Sequence, residues 1–134
     1  MSDFKLHPQL ERDSRLVIRL GLCQLRLMED ARWPWLILVP QRNEIVEIFD
    51  MTPLDQTMLT FETGIAAKAL KATSGCLKIN FGALGNNVRQ FHLHVVARSE
   101  GDHAWPGPIW GQGPAEAWEP QARDAFTERL LEAL

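Results

Sequence analysis

Apolar and polar residues alternate in the two-residue rhythm of β-strands along much of the first third of the chain. Residues 15–20 (RLVIRL) and 22–28 (LCQLRLM) predict two strands. In the second, Cys23, Leu25 and Leu27 share one face while Gln24 and Arg26 take the other. The stretch EDARWP breaks the rhythm, and WLILVP (35–40) resumes it as an almost wholly apolar run, which predicts a central strand or one covered on both faces. Ahead of these, HPQLERDSR (7–15) predicts a short first helix or turn.

The period then changes. Leu54, Met58, Phe61, Ile65 and Leu70 follow helical spacing, with Ala66 and Ala69 beside them. Thr52 is a good N-cap, Pro53 suits the first helical position, Asp55 is placed to close a capping box, and Gly75 is a stop signal. A helix over 53–74 is therefore expected. After it come a strand (CLKINFGA, 76–83), a turn (LGNNV, 84–88) and a strand (QFHLHVVAR, 90–98). From residue 99 onward, glycine, proline and three tryptophans exclude regular structure, and the segment is expected to wrap over the body or over a second subunit. The chain ends in a helix from residue 120, striped by Ala122, Phe126, Leu130 and Leu134. Without repeats or a linker, residues 1–134 predict a single α+β domain.

Composition adds limits. With 46% apolar and 23% charged residues among 134, the chain has the balance of a soluble globular protein. A net charge of −3 gives no global attraction to nucleic acid or an anionic membrane, although a small anionic ligand needs only local donors. Cys23 and Cys76 lie in apolar contexts too far apart for a metal motif, so two buried reduced thiols are expected. The first twenty residues carry acids and bases throughout, and no stretch has the length of a signal peptide's apolar region or a membrane span, so a cytoplasmic protein is expected.

Candidate chemistry concentrates in RQFHLHVVAR, which holds two of the four histidines. On a strand, Gln90, His92 and His94 would share one face while Phe91, Leu93 and Val95 turn to the core. Three readings compete. The face could be the polar outside of a sheet, or His-x-His could supply two ligands to zinc, with only His7, His103 and scattered acids left to complete the set. Alternatively, a neutral imidazole could attack phosphorus, splitting one displacement into two easier ones. The turn before it suits a phosphate: Gly85 allows close backbone approach, and Asn86 and Asn87 offer uncharged amide donors.

The run Gln90-Phe91-His92-Leu93-His94-Val95-Val96 resembles the signature His-φ-His-φ-His-φ-φ of the histidine triad (HIT) superfamily of nucleotide hydrolases and transferases, φ being apolar. The resemblance extends through CQLRLMEDARWPWLILVPQR, LKINFGALGNNV and RSEGDHAWPGP, roughly residues 15 to 110. It implies a HIT-like α+β fold, with an antiparallel sheet of about five strands, one main helix and a C-terminal helix. It also implies a homodimer and hydrolysis at the α-phosphate of a nucleoside phosphoramidate or dinucleoside polyphosphate through a nucleotidyl-histidine, with no cofactor or metal. By position, His92 would be the nucleophile and His94 a phosphate contact. Asn80 and Asn87 would be phosphate or leaving-group donors, joined by Asn86 as the turn's other amide, and Glu29 or its rival Asp30 would hold the ribose. Leu27, Trp33 and Trp35 would flank the base or simply pack.

Gln90 departs from the pattern, standing where the first triad histidine should be. An amide can orient a neighbour but cannot carry a proton. His92, His94 and Gln90 thus form the candidate catalytic set, in which residue 90 relays no proton, and a histidine at 90 is expected to raise the rate. The alternative is a nucleotide-binding relative with little or no turnover. His103 could touch substrate or lie on a surface loop, and Arg98 could neutralise a polyphosphate or be a solvated strand end. His7 has no assigned role, and Arg12, Arg15 and Arg19 are read as a solvated face.

Overall fold

A computed structural model describes residues 3–134. The elements run α1 (Pro8–Asp13), β1 (Ser14–Arg19), β2 (Cys23–Met28), β3 (Trp35–Pro40), a 3-10 turn (Ile48–Asp50), α2 (Pro53–Ser74), β4 (Lys78–Gly82), β5 (Leu93–Arg98) and α3 (Pro120–Ala133). All five strands join one antiparallel sheet in the order β1-β2-β3-β5-β4. This is the α+β, HIT-like architecture expected, with its main helix and C-terminal helix.

β3 sits at the centre, and its run of branched apolar residues is buried on both faces, as the unbroken hydrophobicity of WLILVP demands. One face of the sheet packs Leu25, Leu27, Leu36, Leu38 and Val95 against α2 and α3, where Phe126 and Leu130 are buried. The other face packs Ile37 and Val39 against Leu10 of α1 and against Val88, and packs Val96 against Trp33 and Ile109. Consecutive β5 side chains therefore serve different layers, which assigns His94 to the face opposite the main helices.

Local signals behave as physical chemistry requires, with three differences. Thr52 caps α2 by accepting the Asp55 N–H, and Gly75 ends the helix in the left-handed region at φ 67°. Asp55 does not close the capping box, because its carboxylate pairs with Arg42 at 2.9 Å. The apolar stripe of α2 does not all reach the core. Leu59, Ala66, Ala69 and Leu70 are buried, whereas Leu54 and Phe61 stand 71% and 65% exposed. β5 starts at Leu93 rather than Gln90, because the Phe91 N–H donates to the Ile45 carbonyl instead of to a neighbouring strand.

Glu62 is a buried carboxyl on α2 that accepts the backbone N–H groups of Leu22 and Cys23 at 2.7 and 2.9 Å, tying the β1–β2 turn to the helix. Burial and this neighbour push the Cys23 thiol pKa up, and Cys23 and Cys76 are both free and buried, as expected. Glu62→Ala would strand two buried donors and should lower the unfolding free energy by ~2–4 kcal/mol. Urea denaturation checks this; a change within the error of the wild-type midpoint would contradict it.

Candidate active site

His94 lies on β5 opposite Gly82 of β4, and His92 immediately precedes that strand. Their rings meet edge to face with centroids 4.9 Å apart. Both line a cavity of about 340 Å³ together with Gly85, Asn86 and Asn87. Gly85 adopts φ 77°, and a Cβ there would press on the Val88 carbonyl at 3.1 Å, so glycine permits the turn that carries the two asparagines to the cavity.

Hydrogen bonds assign a distinct state to each imidazole. His92 Nδ1 lies 2.8 Å from the Gln90 carbonyl, which can only accept, so Nδ1 carries the proton and Nε2 keeps its lone pair. His94 Nδ1 accepts from the Trp35 indole N–H at 3.0 Å, which leaves the neutral ring's proton on Nε2. One histidine thus offers an electron pair and its neighbour offers a donor. Burial lowers the His92 pKa; the Gln90 carbonyl works against this and His7 adds to it. Burial, with His92 alongside, pushes His94 down to about 3. Both rings are neutral at pH 7.

A second cavity of about 310 Å³ adjoins the first, sharing Asp13, Met28, Trp35 and Trp110 with it. Trp110 packs over His94 with centroids 5.6 Å apart and faces Gly82, where a Cβ would stand 3.8 Å from its ring. Glu29 and Asp30 both line this cavity, in different states. Glu29 is partly exposed and pairs with Arg15 at 2.9 Å. Asp30 is buried, bonded to the Arg32 side chain and backbone and to the Glu116 N–H. Burial alone would raise its pKa, but those hydrogen bonds outweigh it and hold the carboxyl below the usual range. A third cavity, about 360 Å³, lies beyond His92 and is lined by Glu47, Asn86, Arg89 and Phe91.

Not every residue singled out from sequence gathers here. Asn80 pairs with Val96 and so shares the His94 face of the sheet, but it does not line the cavity around the two histidines. The Gln90 side chain turns to the N-terminal segment, accepting the His7 N–H and donating to the Lys5 carbonyl. His7 itself caps α1 through Nδ1. Arg98 is not a solvated strand end and does not reach outward: it is 1% exposed, bonded to Asp102 and the Gly107 carbonyl. His103 packs on Trp33 and gives its carbonyl to that indole. Trp110, Asp13, Gln9 and Arg89 line the cavities without having been singled out, since no local pattern in sequence marks a residue that reaches a site across the fold. Among the described residues, no group of three or more His, Cys, Asp or Glu side chains is placed to hold a metal ion, and no helix is long and apolar enough to cross a membrane.

Protonating the two buried rings is linked to unfolding. In the unfolded chain histidines titrate near 6.5, above the folded values, so both residues withdraw stability as pH falls below 6.5. An NMR titration should show no protonation of the His94 ring between pH 8 and pH 5. A midpoint near 6.5 would contradict the buried, indole-bonded state.

Comparison with known proteins agrees with the geometry. A family model described as the HIT domain matches residues 9–101. A histidine triad (HIT) protein from Sinorhizobium meliloti 1021 is 58% identical, with 98% of each chain covered and a TM-score of 0.96. Histidine triad proteins from Bradyrhizobium japonicum (38% identical, 97% of each chain, TM-score 0.95) and Marinobacter aquaeolei VT8 (37%, 98% of this chain and 96% of that one, 0.94) are similar throughout. No curated protein matches the chain significantly. Family membership supports a nucleotide-binding or hydrolase/transferase role, and the paired imidazoles above an asparagine turn lie within the matched segment: the chain belongs to the HIT domain family.

Proposed function

We propose that this chain is a HIT-family hydrolase that cleaves at the α-phosphate of a nucleotide conjugate through a covalent nucleotidyl-histidine, with Gln90 at the first triad position. The observation that carries the reading is the pair of complementary tautomers at one cavity: a lone pair on His92 Nε2 beside a donor on His94 Nε2. His92 Nε2 attacks phosphorus, a P–N bond forms, and the bond to the leaving group breaks with its electron pair. The leaving group takes a proton from solvent, because Gln90 has none to give. The phosphorylated imidazole is cationic, and its Nδ1–H stays on the Gln90 carbonyl. Water then attacks phosphorus, the pair returns to Nε2, and the water proton passes to solvent. His94, Asn86 and Asn87 stabilise the charge on the phosphoryl oxygens.

The cavity lined by Trp35, Trp110 and Glu29 suits a nucleoside, with ribose hydroxyls on Glu29, since the oxygens of Asp30 are occupied by Arg32 and Glu116. On the leaving-group side, Arg89 is the one cation among the described residues lining the cavity beyond His92, and Glu47 opposes it. That balance favours a phosphoramidate over a dinucleoside polyphosphate, whose further phosphates would call for more cations. We read residues 1–134 as one domain, placed in the cytoplasm in keeping with two free thiols.

A homodimer is part of the proposal. β4 is an edge strand whose Phe81 is 63% exposed and lines an apolar hollow of about 440 Å³ with Ile48, Leu59, Ile79 and Leu93, while Phe61 of α2, outside that lining, is 65% exposed. Phe61→Glu combined with Phe81→Glu should convert a dimer to a monomer in light scattering; a monomeric wild type would refute it.

Turnover is tested with adenosine phosphoramidate. Acid-labile phosphohistidine should be trapped in the wild type, and His92→Ala should lose activity by roughly 10³-fold or more while still binding nucleotide. Nucleotide binding without trapping or turnover would instead establish a binding protein.

A further inference from the structure

We infer that Gln90 is a positioning residue: its side-chain amide clamps the N-terminal arm, and this clamp fixes the backbone carbonyl that holds His92 in its nucleophilic tautomer. The inference rests on the reading of His92 as the nucleophile.

Three groups of Gln90 are engaged at once. The side-chain Nε2 donates to the Lys5 carbonyl at 2.9 Å, and Oε1 accepts the His7 N–H at 2.8 Å. Residues 5 and 7 present a carbonyl and an N–H to the same side, as an extended strand does to a neighbouring strand, and the amide answers them as one more peptide group would. The main-chain carbonyl of Gln90 meanwhile takes His92 Nδ1 at 2.8 Å. The same peptide group is held at its other end, where the Phe91 N–H donates to the Ile45 carbonyl at 2.9 Å. The arm is itself anchored: Phe4 and Leu6 pack against the cluster of Leu10, Ile37, Val39 and Val88, and the Lys5 N–H donates to Asn43 at 3.1 Å. Gln90 is therefore fixed from both sides, and the carbonyl it presents to His92 cannot swing away without breaking these bonds.

Chemistry explains why an amide suits this position. A neutral imidazole has one donor and one acceptor, but they diverge across the ring and do not match the parallel pair on residues 5 and 7. A carboxylate could accept from His7 but would oppose the Lys5 carbonyl. As His92 attacks, its ring gains positive charge and the Nδ1–H becomes a stronger donor, so the carbonyl binds the transition state more tightly than the ground state. The clamp thus predicts the opposite of what the motif alone suggests for a histidine at 90.

The test uses full-length protein with histidine ¹⁵N labelling, and steady-state hydrolysis of adenosine phosphoramidate. Wild type should show His92 protonated on Nδ1 and unprotonated on Nε2. Gln90→Met, close in shape and without hydrogen bonds, should shift His92 to a mixture of tautomers and lower kcat about tenfold or more, with KM within about twofold. Gln90→Glu, which keeps the acceptor for His7, should fall between the two, and Gln90→His should be slower than wild type. Asn43→Ala removes only the outer tie to the Lys5 N–H, while the packing of Phe4 and Leu6 and both Gln90 side-chain bonds remain. It should leave the tautomer and kcat within about twofold of wild type, which separates positioning by Gln90 from the arm's other contacts. An unchanged His92 tautomer in Gln90→Met, or a Gln90→His faster than wild type, would overturn the inference. Because the tautomer is read without turnover, a wild type that forms no phosphohistidine would sink the hydrolase reading while the spectra still judge the clamp.

Discussion

The hydrogen bond between His92 Nδ1 and the Gln90 carbonyl decides what this site can do. An imidazole has two nitrogens, and a protein selects the reactive one by occupying the other. Here both buried rings have Nδ1 occupied, His92 as a donor to a carbonyl and His94 as an acceptor from the Trp35 indole. The sheet supplies the rest of the constraint. Pairing of β5 with β3 and β4 assigns His94 to the face away from α2, and the glycine turn at 85 brings Asn86 and Asn87 to the same cavity. Two chemically identical side chains thereby acquire opposite hydrogen-bonding states from their second nitrogens.

The tryptophan-rich segment after β5 has a structural logic that bears on the end of the cleft proposed for the nucleoside. It wraps over the body of its own chain. Arg32 donates to the carbonyls of Gln112 and Gly113, Asp30 accepts the Glu116 N–H, and the Trp118 indole donates to the Met28 carbonyl. The loop between β2 and β3 and the tail therefore form one wall unit, with Trp110 at its inner edge against His94. Asp30 and Arg32 are mostly spent on this wall, which leaves Glu29 as the more available carboxylate. The wall also accounts for Arg98: its buried guanidinium closes the loop that follows β5 by bonding Asp102 and the Gly107 carbonyl.

Much of this was legible in sequence, and the limits have physical causes. Strand and helix periods placed every main element, and Thr52, Pro53 and Gly75 marked the ends of α2 because capping is a local interaction. The histidine pair and the asparagine turn were readable because alternation on a strand and glycine in a turn are local too. What escaped depends on distant partners. The bonds from Gln90 join residues 83 and 85 positions away, and no pattern around residue 90 announces them. The early end of the β5 ladder likewise follows from a bond to Ile45. Leu54 and Phe61 belong to the apolar stripe of α2 yet face outward, since a hydrophobic period reports a face without naming what covers it.

The central claim is that His92 Nε2 is the atom that meets phosphorus. A crystal structure with a non-hydrolysable nucleoside phosphoramidate bound tests it most directly. The account predicts phosphorus about 3–3.5 Å from His92 Nε2, with the leaving group on the opposite side and the His94 Nε2–H on a phosphoryl oxygen. A phosphate bound away from His92, or a His92 that donates from Nε2 to the ligand, would contradict it.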